Sequence, residues 1–97
     1  MAYNQETSLS ILKARMDRAG VTCPPALEAY WTQRNQAAAA ELTHKGIELA
    51  DTVEDNMLVA DVAAETLLNR DKQTGRPEWI RLAIRERWLQ ERDGSAN

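Results

Sequence analysis

The sequence predicts an all-α fold, a small single-domain bundle of about four helices, and three observations lead there. Apolar residues recur at steps of three and four along most of the chain. Chain breakers are scarce, with 4 Gly and 3 Pro among 97 residues. They also fall at the ends of the periodic stretches, which is where helices stop and start. A length of 97 residues suits one core and not two, so residues 1–97 form one domain, with 1–5 and 94–97 expected to be flexible. A hydrophobic fraction of 43% is too high for a disordered chain, and so few turn residues do not suit a β-sandwich.

The first helix is expected over 8–19, capped by Thr7 or Ser8, with Leu9, Leu12, Met16 and Ala19 on one face and Gly20 as the stop. Pro24 and Pro25 force a loop, and proline suits the first turn of the helix that follows, expected over 25–45. Its buried side holds Leu27, Trp31, Ala38 and Leu42, and the run Ala37 to Ala40 invites close approach of a neighbouring backbone. Asp51 and Glu54 have capping-box spacing for a third helix over 52–70. Its face is Val53, Met57, Ala60, Ala64 and Leu67, widened by Leu58, Val59 and Val62. A helix apolar over most of its circumference is central, or is covered by another chain. Asp71 to Gly75 reads as a turn, and Pro77 opens a fourth helix to about residue 93.

Charge and cysteine content narrow the function. Twelve basic against fifteen acidic residues give a net charge of −3, which argues against a whole-surface nucleic-acid or membrane binder. The single Cys23 excludes an internal disulfide framework and a cysteine-based zinc site, as fits a reducing compartment. The start of the chain lacks the pattern of a secretory signal, so a cytoplasmic origin is expected. The most apolar stretch, Met57 to Leu68, is broken by Asp61, Glu65 and Thr66 and falls short of a bilayer span.

Catalytic, cofactor and metal sites are all expected to be absent. His44, the only histidine, sits in the last turn of the second helix, where a cation favours the helix dipole. Cys23 has no neighbouring base or cation in the sequence to activate its thiol. Glu48, Asp51, Glu54 and Asp55 lack the alternating spacing and central glycine of a calcium loop and read as helix-end acids. Phosphate loops, HExxH and GxSxG patterns do not occur, so the chain does not read as an enzyme.

The fourth helix carries the one unusual surface. Ile80, Ala83 and Ile84 share a buried side, Leu82 and Leu89 another, and Arg81, Arg85, Trp88 and Arg92 a third. Arg81 and Arg85 repel each other at i,i+4 unless an anion lies opposite. Glu54, Leu58, Asp61 and Glu65 on the third helix follow the same offsets with opposite sign. The two stripes are therefore candidates for pairing within one chain or between neighbouring copies, with Trp88 facing the partner and Trp79 packed against the domain.

Across residues 25–93 the chain resembles the small helical head-tail connector proteins of tailed bacteriophages, also called head completion or DNA packaging adaptors. The likeness lies in a long helix, Leu27 to Lys45, then a capped apolar helix ending in Leu67-Leu68-Asn69-Arg70-Asp71, then Pro77-Glu78-Trp79 opening the last helix. Leu67 and Leu68 stand where aromatic residues are common in that family. The resemblance implies a non-enzymatic virion protein, assembled in the host cytoplasm. It forms a homo-oligomeric ring below the portal protein, extends the DNA channel so that DNA passes without sequence-specific contact, and receives the next neck or tail protein. Ring closure needs heterologous contacts, which opposite stripes on two helices can provide. Two alternatives are a helix-turn-helix DNA-binding regulator using the fourth helix and a phage-encoded inhibitor of a host protein. Glu78, Glu86 and Glu91 on the supposed recognition helix weigh against the regulator.

Overall fold

The computed structural model describes residues 2–68 and 77–96, with side chains described through residue 91. The order is α1 (Gln5–Arg18), a 3-10 turn (Pro25–Leu27), α2 (Glu28–His44), α3 (Val53–Leu68) and α4 (Glu78–Ala96), with no strand among the described residues. The protein is a small all-α bundle. The turn expected over Asp71 to Gly75 lies outside the described residues, and α4 continues to Ala96 through most of the tail expected to be flexible.

The cap of α1 is Asn4, whose Oδ1 accepts the Thr7 N–H at 3.0 Å, and not Thr7 or Ser8. Ser8 instead goes inward, where its hydroxyl donates to the Asn56 carbonyl at 2.9 Å. Residues 3–5, expected to be flexible, are tied down. Tyr3 packs on the core, the Asn4 N–H donates to Asn56 Oδ1, and Gln5 Nε2 donates to the Thr32 carbonyl. Leu12 and Met16 enter the core as periodicity requires, while Ala19, at the C-cap, is exposed.

Helices α1 and α2 end alike. Gly20 and Gly46 adopt φ of +85° and +96°, a region only glycine enters readily. In each case the glycine N–H and the next N–H close back onto the last turn, Gly20 and Val21 on Asp17 and Met16, Gly46 and Ile47 on Thr43 and Leu42.

After Pro24 the chain makes a 3-10 turn, and α2 begins at Glu28, three residues later than expected. Leu27, placed on the buried side by the sequence, is 45% exposed because its φ of −104° and ψ of 2° take it out of the helical register. Trp31, Asn35, Ala38, Ala39 and Leu42 form the buried face. Ala60, Ala63 and Ala64 are likewise buried on α3, which packs on both α1 and α2, so small side chains let these backbones approach closely. Asn35 is fully buried and neither its Nδ2 nor its Oδ1 has a hydrogen-bond partner.

Thr52, not Asp51, caps α3, its hydroxyl accepting the Asp55 N–H at 3.1 Å. Asp55 and Asn56, three and four residues on, point inward and are 2% exposed. Their burial turns the helix so that Val53 and Met57, expected in the core, are 68% and 46% exposed, while Leu58, Val59, Ala60, Val62, Ala63 and Ala64 are buried.

Candidate assembly surface

Helix α4 rests mainly on α3. The Ile80 and Arg81 N–H groups both donate to the Pro77 carbonyl, closing the first turn. Ile80 is fully buried and Ile84 nearly so, the inward face the periodicity predicts, and Ala83 and Trp88 are half-buried beside them.

One residue the sequence reading did not single out locks this helix. Arg87 lies seven residues after Ile80 and three after Ile84, on the same inward side. Its Nε and Nη2 donate to the two carboxylate oxygens of Asp55 at 2.7 and 3.1 Å. Nη2 also donates to the Glu48 carbonyl at 2.8 Å, and Nη1 to Glu91 at 3.1 Å. The Asp55 carboxylate in turn accepts the Ala50 N–H at 2.8 Å. The Asp55 bonds, first of all, hold the Arg87 guanidinium charged beyond its already high ordinary value. An arginine at a position apolar by period was the signal that a buried anion waits opposite.

Arg15 on α1 is the second unforeseen hub. Its guanidinium lies 3.4 Å from Asp61 and 3.1 Å from Glu65, and it sits over the Trp79 ring at 5.3 Å. It therefore joins α1, α3 and α4. Burial pushes the Asp61 carboxyl above the usual aspartate value, with Arg15 pulling it down and Glu65 adding to the rise.

These contacts redraw the two stripes. Asp61 and Glu65 both face Arg15 within the chain. Leu58 is 7% exposed and belongs to the core. Both tryptophans touch the domain, Trp79 under Arg15 as expected and Trp88 more closely than expected. Trp88 packs on the core, with its Nε1 3.4 Å from where a Cβ on Gly46 would stand, whereas Trp79 is 49% exposed. Arg81, Arg85 and Glu54 remain on the surface, and the Arg92 side chain lies outside the described residues. No family model, curated protein or solved structure matches the chain.

The molecule's own surface is thus the guide to its role. Trp79, Leu82 and Leu89, exposed by 49%, 52% and 42%, lie on the outward side of α4 among Glu78, Arg81, Arg85 and Glu86. Helix α4 is thus apolar on two opposite sides, one seated on the bundle and one open. Among the described residues no group of three or more His, Cys, Asp and Glu is placed to hold a metal. His44 is exposed, and Cys23, half-buried in its loop, lies against its own Pro24 carbonyl.

Proposed function

We propose that this chain is a structural subunit of a tailed-bacteriophage neck, a head-tail connector that forms a homo-oligomeric ring below the portal protein and extends the DNA channel. The observation that carries the reading is the two-sided α4, seated by Arg87 and Ile80 and presenting Trp79, Leu82 and Leu89 outward. Together with the resemblance in helix order, an open apolar stripe suits a protein whose work is contact with other subunits. The exposed side of α4 also carries Glu78 and Glu86, which suits a protein partner better than the phosphates a helix-turn-helix regulator would meet. No described helix is long and apolar enough to cross a membrane. In this role the protein belongs to the virion and is assembled in the host cytoplasm, with the next neck or tail component seated on its ring.

Negative-stain imaging of the purified chain at high concentration, alone and with the portal protein, tests the reading. A ring of defined symmetry is the expected result. A monomer under both conditions overturns it.

A further inference from the structure

We propose that α4 is exchanged between copies: on assembly the helix leaves the α3 seat of its own chain and fills the same seat on a second copy, so that Arg87 of one chain meets Asp55 of the next. This inference rests on the connector reading and names the contact that joins its subunits.

The seat identifies its own occupant. Asp55 is 2% exposed and takes a bidentate guanidinium that reaches on to the Glu48 carbonyl. The seat also takes Ile80 and Ile84, seven and three residues before that arginine, and Trp88 directly after it, while Arg15 stacks on Trp79. Arg-Trp occurs once in the sequence, so α4, from the same chain or another copy, is the segment that fits. An emptied seat strands the Asp55 charge, so refilling is favoured over standing open.

The rest of the fold permits the exchange. Helices α1, α2 and α3 are tied together without α4, by the Ser8–Asn56, Gln5–Thr32 and Arg15–Glu65 hydrogen bonds. Among the described residues no backbone–backbone hydrogen bond joins α4 to another helix. Eight residues separate Leu68 from Pro77, and a chain of that length reaches about 30 Å when extended. The molecule measures 29 Å across its middle dimension, so this reach spans to the seat of a copy lying alongside. The contacts are the same in both arrangements, and concentration decides between them. In the dilute chain the tethered α4 prevails, whereas copies gathered below the portal stand at an effective concentration where the neighbour's helix competes. Passed one way around, the exchange is heterologous and gives a closed ring or an open filament; made mutually, it gives a dimer.

Two full-length variants test this, Arg87→Asp and Asp55→Arg, by sedimentation velocity with circular dichroism to confirm folding. Neither variant has a matched seat of its own, but when they are mixed the Asp55 seat of the first receives Arg87 of the second. Each alone is expected to assemble at least tenfold more weakly than the native chain, and mixing is expected to recover part of the loss. A second measurement needs no disruption of the pair. A diazirine amino acid in place of Ala83, which lines one cleft with Glu54 and Leu58, is activated in assemblies built from isotope-heavy and light chains. Capture of residues 54–58 across heavy and light chains is the expected result. Capture within one chain only, or mixed variants that are folded yet assemble no better than either alone, overturns the exchange while a ring leaves the connector reading in place. A heavy–light crosslinked dimer that forms no ring, alone or with the portal protein, supports the exchange and overturns the connector reading. A native chain that stays monomeric under both conditions overturns both.

Discussion

Arg87 joins α4, α3 and the segment before α3 through one guanidinium, and the bidentate geometry to Asp55 makes it more than a surface ion pair. Asp55 is almost fully buried, so removing its partner strands a charge. Arg87→Ala is expected to destabilise the fold by about 3 kcal/mol, whereas Arg87→Met combined with Asp55→Leu should lose much less, because neither charge is then left alone. Urea unfolding of the single and double variants measures the difference, and equal losses would show that the pair is not coupled. Asp61 behaves in the opposite sense. Its folded carboxyl titrates above the ordinary value near 3.8, so the unfolded chain gives up that proton first as pH rises. The contribution of Asp61 to stability is therefore full below that ordinary value and falls away as pH climbs through the raised one. Asp61→Asn should match the native chain at pH 3 and exceed it at pH 7 by under about 1 kcal/mol, since Arg15 offsets part of the burial and water reaches the group. Thermal melts at the two pH values check both the sign and the size. A variant less stable at pH 7 than at pH 3, relative to native, would show that the Arg15 contact outweighs burial.

Among the elements, existence and order were legible in the sequence, and helix phase was less so. Gly20, Gly46 and Pro77 mark ends by a backbone requirement that tertiary packing does not override, and all three stand at element boundaries. Phase depends instead on which side chains find partners far along the chain. Asp55 reads as a helix-end acid, and nothing singles out Asn56, until Arg87, Asn4 and Ser8 are brought beside them; their burial moves Val53 and Met57 to the surface. The surroundings of Trp79 and Trp88 were hidden for the same reason: Arg15, sixty-four positions before Trp79, stacks on its ring, and Trp88 lies against Gly46. The two helix-ending glycines offer a matched test. An alanine at 46 would place its Cβ 3.4 Å from Trp88 Nε1, an ordinary contact, and one at 20 would meet nothing within 4 Å. Gly46→Ala and Gly20→Ala are therefore both expected to cost about 1–2 kcal/mol, from the left-handed backbone alone. Equal falls in melting temperature support that reading, and a much larger fall at position 46 would mean that the Trp88 shelf is the tighter constraint.

Across the whole molecule, α1, α2 and α3 share one core, and α4 is added to its side, giving a body of 45 × 29 × 21 Å. The core is held by mutual packing of three helices, whereas α4 depends on Ile80, Ile84, Trp88 and the two arginine hubs. Hydrogen exchange of the dilute chain should find amides of 80–91 opening before those of 58–64, because a segment with fewer buried apolar neighbours opens at lower free energy. Simultaneous opening would mean that α4 is part of a single cooperative unit. The placement of its last fixed contacts also has a mechanical side. Arg87 and Trp88 hold α4 to Asp55, the Glu48 carbonyl and the turn at Gly46, and the helix runs on to Ala96. Eight further residues at 1.5 Å each make a lever arm of about 12 Å. Pivoting by about 10° at Arg87 would swing the far end by about 2 Å. Small rearrangements around Asp55 and Gly46 would thus be magnified at the tip of α4.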